Sequence, residues 1–207
     1  MSDFEGLFGL IGIMFGLIVA ELSIKLADTI DGHRERPVGI LTPALAFLVL
    51  TDVTSIWLNI WADRSALTIT WHTVFACVLV AMVYFLAASL VFPRTKLNWT
   101  NLDDHYWSRK RFVVSGMLFG NLAMDSFMLS RAVPEWNDWM FYFYFPLYLT
   151  ALVGLIFSRS RRIDFALLAV AIFVNLASGS DALPGSRWGQ QIGLTMGHDR
   201  TALSPYR

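Results

Sequence analysis

Six long apolar stretches divide this chain, and nearly all of its lysines and arginines collect in every second connection between them. A bilayer offers the backbone no hydrogen-bond partners, so apolar runs of about 20 residues cross it as helices. The pattern therefore predicts an all-α, polytopic membrane bundle of six transmembrane helices. A mean hydropathy of +0.53 and a 56% hydrophobic composition exceed what one soluble core of this size could hide. The formal net charge is zero, so nothing points to nucleic acid, and each charge informs by its position.

The expected spans are Gly6 to Ile30, Val38 to Trp61, Ile69 to Phe92, Phe112 to Ala132, Trp139 to Phe157 and Ile163 to Ser178. They make one transmembrane domain over residues 1–178, followed by a Gly-, Ser- and Pro-containing tail, 179–207. Pro37 and Pro43 open the second span, Pro93 stops the third, and Pro146 should bend the fifth. A short turn around Asp63 and Arg64 predicts a tight antiparallel hairpin of spans two and three. Before the fourth span, Thr100 and Asp103 form a capping-box pattern. It should start an interfacial helix through Asp104, His105, Tyr106 and Trp107 to Arg109, Lys110 and Arg111, with phosphate headgroups as neighbours of the basic triplet.

Arg34 and Arg36 lie in the first connection, Arg94, Lys96, Arg109, Lys110 and Arg111 in the third, and Arg159, Arg161 and Arg162 in the fifth. The even connections hold only Arg64 and Arg131. The positive-inside rule places the odd connections in the cytoplasm and both termini outside, so the tail is periplasmic in a Gram-negative host. The sequon Asn98-Trp99-Thr100 then faces the cytoplasm, away from glycosylation. The N-terminus lacks the positive region and cleavage site of a signal peptide, so the first helix is expected to be retained.

Three carboxylates, Glu21, Asp52 and Asp125, sit inside the apolar stretches, where an uncompensated charge costs at least ~3 kcal/mol. With a rise of about 1.5 Å per residue, Glu21 falls roughly 4 Å to the cytoplasmic side of the centre, and Asp52 and Asp125 roughly 4 Å to the outer side. Lys25, one turn after Glu21, should neutralise it locally. Asp52 and Asp125 have no such neighbour. Asp52, Ser55, Asn59 and Asp63 share one face of the second helix, as Asn121 and Asp125 do on the fourth. These stripes meet at matching depth, either as a hydrogen-bonded knot that fixes helix register or as a water-filled vestibule whose two carboxylates share one proton.

The first helix has a smooth face of Gly9, Gly12, Gly16 and Ala20, with Gly12 and Gly16 in GxxxG spacing, which predicts close helix packing. Other chemistry has little support. Cys77 is single, the histidines are not paired at one depth, and Asp103, Asp104 and His105 are adjacent rather than a helical turn apart. We expect no metal, no cofactor and no catalytic residue.

The start Asp3-Phe4-Glu5, the Gly-rich first helix ending in Ala20-Glu21-Leu22, the Trp-bearing second helix and Leu102-Asp103-Asp104-His105-Tyr106-Trp107 ahead of a basic cluster resemble a widespread group of bacterial six-span membrane proteins with no assigned activity. The resemblance ends near the start of the fourth span. It implies a bacterial inner-membrane location and carries no residue roles. Two functional classes follow. The favoured one is a non-catalytic subunit or scaffold that packs into a larger membrane assembly or against itself. The other is a small proton or cation conductor working through Asp52 and Asp125.

Overall fold

The computed structural model describes residues 3–31, 39–62, 69–93, 102–130 and 140–179. These are all-α: α1 (Asp3–Asp31), α2 (Leu41–Ala62), α3 (Trp71–Val91), α4 (Leu102–Leu129), α5 (Phe145–Phe157) and α6 (Arg161–Gly179). A π-helical turn, Met140–Tyr144, leads into α5. Pro146 follows it, and its missing N–H explains an irregular ladder at this point. Thr70 caps α3 by accepting a hydrogen bond from the Thr73 amide at 3.2 Å. The basic residues of the first connection, Arg64, Arg94, Lys96, Arg131, the sequon, Thr100 of the capping box and the tail beyond Gly179 lie outside the described residues.

Among the described residues, three helices are long and apolar enough to cross a membrane, over Glu5–Asp31, Leu41–Trp61 and Trp71–Val91. α4 opens with Asp103, Asp104 and the basic triplet, and α6 with Arg161, Arg162 and Asp164, so their apolar portions are shorter. The interfacial helix expected before the fourth span is the first part of α4, continuous with the rest.

Contacts between helix ends give the direction of each element. Thr42 of α2 donates to the Leu102 carbonyl of α4, and Lys110 of α4 reaches both Ser158, just after α5, and Asp164 of α6. His105 meets the Leu90 carbonyl near the end of α3. Thus α2, α4 and α6 begin, and α3 and α5 end, at one end of the bundle, which we call the basic end. Phe8 near the start of α1 packs on Trp57 and Trp61 near the end of α2, so α1 also runs toward the basic end.

The helices α2, α4, α5 and α6 form a ring in which α2 and α5 each pack on α4 and α6. α4 thereby faces α6 across the ring, and α2 faces α5. α3 lies outside the ring, mainly against α4 and α1. The expected tight hairpin of α2 and α3 is a minor contact, because α4 offers α3 a better surface. A Cβ on Gly116 would stand 3.2 Å from the Ala87 Cβ and 3.4 Å from Val83 Cγ1. One on Gly120 would collide with the Tyr84 ring. Gly116 and Gly120 are thus the GxxxG pair that brings two backbones of this chain together.

α1 packs differently from expectation. Its buried stripe is Leu7, Ile11, Phe15, Ile18 and Leu22, spaced three or four residues apart. Of the small-residue face, Gly12 alone packs within the chain, its Cβ position 2.9 Å from the Trp57 ring, whereas Gly9 and Gly16 have nothing within 4 Å. Ala20 is exposed as well. Much of the outer surface is large and apolar, for example Ile13, Phe112 and Phe173, as lipid-facing helices require.

Candidate functional site

The centre of the ring holds a carboxylate. Asp52, midway along α2, is only 1% exposed. Tyr84 of α3 donates its hydroxyl to Asp52 Oδ2 at 2.6 Å. Asn121 of α4 places Nδ2 at 3.0 Å from the same oxygen and 3.2 Å from Oδ1. The same amide nitrogen lies 3.0 Å from the Met117 carbonyl one turn earlier, so one N–H ties the side chain to its own helix while the other serves Asp52. The closeness of α3 and α4 at Gly120 is what lets Tyr84 reach between them.

More polar groups converge than these bonds use. Asp125 lies one turn beyond Asn121 on α4, within electrostatic range of Asp52. Tyr148 of α5 and Asn175 of α6, both buried, come close to the Asp52 carboxylate without reaching hydrogen-bond geometry. Asn59 stands two turns further along α2. The buried atoms Asp125 Oδ2, Tyr148 Oη, Asn175 Nδ2 and Asn59 Oδ1 have no protein partner. A buried polar atom left without any partner costs about 1–3 kcal/mol, so these groups favour water or one another as neighbours. Five of the six helices contribute.

Of the residues singled out from sequence, Asp52, Asn121 and Asp125 are brought together here, and Asn59 stands apart, two turns further along α2. Ser55 is not, because its hydroxyl is bonded to the Thr51 carbonyl of its own helix. Glu21 and Lys25 lie on α1, outside the ring and half exposed, and no ion pair joins them among the described residues. Both can instead extend along the helix toward the surface.

At the basic end stands a second polar cluster, built on a fourth carboxylate that the sequence reading passed over. Asp164 of α6 is fully buried. Its Oδ2 pairs with Lys110 Nζ at 2.5 Å and accepts from the Tyr106 hydroxyl at 2.8 Å. Lys110 also donates to the Ser158 carbonyl at 2.7 Å and lies 4.2 Å from the centroid of the Trp107 ring. The expected headgroup contact of Lys110 is therefore corrected, since at 2% exposure it faces inward. Arg109 and Arg111 on either side remain exposed. Arg161 pairs with Asp103 at 3.1 Å nearby. Burial pushes the Lys110 ammonium below the ordinary lysine value, opposed by the Asp164 bond and charge. Burial and then the Asp164 bond push the Tyr106 hydroxyl up, and burial lowers His105 despite its bond to the Leu90 carbonyl.

The two clusters are in register. On α4, Lys110, Val114, Met117 and Asn121 follow one another at the spacing of Asp164, Leu168, Ala171 and Asn175 on α6. Eleven residues is close to three helical turns, so each helix carries its two polar residues on one face, roughly 16 Å apart. The layer between is apolar and tightly buried, with Leu152 and Leu155 of α5 joining Val114, Met117, Leu168 and Ala171. Comparison with family models, characterised proteins and solved structures returns no match to this chain.

Proposed function

We propose that this chain is a six-span bacterial inner-membrane protein, both termini outside and the basic end cytoplasmic, built around a gated proton- or cation-binding centre at Asp52 and Asp125. The observation that carries this reading is the surplus of buried polar atoms around Asp52. Asp52 accepts from Tyr84 and Asn121, stands within electrostatic range of Asp125 and has buried Tyr148 and Asn175 close by, so two carboxylates and four neutral polar side chains share one site in the middle of apolar helices. Donors and acceptors are mixed, which suits a hydrated carboxylate pair holding a proton or a small hydrated cation. Polar groups continue toward the outer end through Asn59 and Asp125. Inward, the apolar layer closes the ring, and Lys110 with Asp164 closes it again at the cytoplasmic surface. The centre is thus loaded from outside, and passage inward requires rearrangement of the ring.

The test is a pH gradient imposed across proteoliposomes. Wild-type protein should dissipate it faster than empty vesicles, with or without sodium, and Asp52→Asn and Asp125→Asn should remove the excess. Wild-type flux no greater than that of empty vesicles under every ion condition overturns the transport reading.

A second reading, a non-catalytic subunit of a larger assembly, is favoured by one separate observation. Gly9 and Gly16 meet nothing within 4 Å, and Ala20 is exposed beside them, a shape that accepts another helix. Mild-detergent extraction followed by identification of co-purifying chains tests it. A lone monomer that melts like the membrane-embedded form would exclude it.

A further inference from the structure

Lys110 crosses the inside of the ring. α4 and α6 stand opposite each other, each packed on α2 and α5, so the Lys110 side chain bridges the space between them to reach Asp164. Tyr106 of α4 spans the same gap to the same oxygen, at 2.8 Å. The eleven-residue spacing shared by α4 and α6 sets this ion pair on the faces that carry Asn121 and Asn175, three turns inward of the Asp52 centre. The line inward from that centre therefore runs through the apolar layer to Lys110. The groups around the ammonium are of the kind that hold a monovalent cation. Asp164, fully buried, supplies a carboxylate oxygen. The Ser158 carbonyl accepts at 2.7 Å from the cap position of α5, the negative end of that helix's dipole. The Trp107 ring presents its face at 4.2 Å. The three ammonium hydrogens thus have a carboxylate, a carbonyl and a π face to serve.

We infer that Lys110 is a tethered ammonium filling a monovalent-cation site at the inner end of the ring, and that it thereby makes the path from the Asp52 centre selective for protons over metal cations. A sodium ion passes only by displacing the ammonium from Asp164, the Ser158 carbonyl and Trp107 together. A proton needs no displacement. Lys110 gives one N–H proton to Asp164 Oδ2, leaving a neutral amine and a carboxylic acid. The amine then takes the proton arriving from the ring, and the acid releases its own to the inner surface. One proton enters, one leaves, and the ion pair is restored. The selectivity rests on the transport reading given above, whereas the cation site stands on the geometry around Lys110 alone.

Emptying the site tests it. Full-length Lys110→Ala in detergent keeps Asp164, the Ser158 carbonyl and Trp107 but lacks the ammonium. Sodium chloride or ethylammonium chloride should raise its melting midpoint above the value in N-methylglucamine chloride of equal concentration, and by more than the same salts raise wild type. Asp164→Asn added to Lys110→Ala should remove this gain. No gain in Lys110→Ala, or an undiminished gain with Asp164→Asn, would overturn the cation site. Should Lys110→Ala not fold, Lys110→Gln, which keeps a donor for the Ser158 carbonyl, takes its place in the same comparison. Selectivity is read with radioactive sodium in proteoliposomes. Wild type should admit no more sodium than empty vesicles, and Lys110→Gln several-fold more. Sodium entry through wild type, or none through a folded Lys110→Gln protein, would overturn the selectivity. Proton flux in the same vesicles separates the two ideas. A wild type that moves neither protons nor sodium refutes the transport reading and the selectivity with it, while the melting comparison still decides the cation site.

Discussion

Replacing Lys110 by methionine keeps the length and packing of the side chain but removes the ammonium from Asp164 and from the Ser158 carbonyl. Asp164 is fully buried and would keep only the Tyr106 hydroxyl on its bonded oxygen. Breaking a buried pair by removing one partner costs about 3–5 kcal/mol, because the remaining charge stays out of water. The cation over Trp107 at 4.2 Å is lost as well, worth about 1 kcal/mol. For a chain of this size each kcal/mol moves the melting midpoint by about 2–4 °C, so Lys110→Met should lower it by roughly 10 °C or more. The triple variant Lys110→Met, Asp164→Leu, Tyr106→Phe replaces the whole cluster by apolar groups and should recover more than half of the loss, since a well-packed apolar substitute is often as stable as a buried ion pair. The measurement is thermal unfolding in a single detergent, read as a mutant cycle. A single variant as stable as wild type would refute the buried pair. A triple variant no better than the single one would refute the argument that the cost comes from the stranded carboxylate.

Three further outcomes follow from the packing. Gly12→Leu should destabilise by about 1–3 kcal/mol, because it must displace the Trp57 ring that stands 2.9 Å from the glycine's Cβ position, while Gly9→Leu and Gly16→Leu should leave melting unchanged and reduce only co-purification of a partner; unfolding curves and pull-downs separate the two. Tyr84→Phe removes the 2.6 Å donor to Asp52 and should cost about 1.5–3 kcal/mol by denaturant titration. His105 has its protonation lowered by burial in the fold, so the unfolded chain binds its proton first as pH falls below about 6.5; its contribution is complete above that value and is lost below it, and His105→Gln should flatten this part of a stability-versus-pH curve.

The helices were legible because apolar length and proline punctuation survive in the sequence without tertiary information. α3 ends where Pro93 requires, and α4 continues through the basic triplet as the capping pattern suggested. Helix pairing was less legible. Gly12 and Gly16 have the same spacing as Gly116 and Gly120, yet only the second pair joins two backbones of this chain, because Tyr84, Val83 and Ala87 stand opposite it. Spacing shows that a face is smooth and does not show what meets it. Asp52, Asn121 and Asp125 were found because a polar residue in an apolar stretch is costly by itself. Tyr84 and Tyr148 were missed because a tyrosine inside an apolar stretch carries no charge that demands compensation, so its hydroxyl does not stand out in the sequence as a carboxylate does. Asp164 was missed because it lies at a span boundary beside arginines. A usable signal was present in the repeated eleven-residue interval from Lys110 to Asn121 and from Asp164 to Asn175.

The claim that the Asp52 centre is open to water and holds an exchangeable proton or cation is tested most directly by infrared absorption of its carboxyl groups. Wild-type protein and the Asp52→Asn, Asp125→Asn double variant, in sodium-free buffer, give a difference band for any protonated carboxyl of the pair. Exchange into deuterated buffer should shift that band within minutes, and added sodium should diminish it if the cation competes for the site. A difference spectrum with no protonated carboxyl, or a band that resists deuterium for many hours, would contradict the account and leave Asp52 as part of a sealed structural knot.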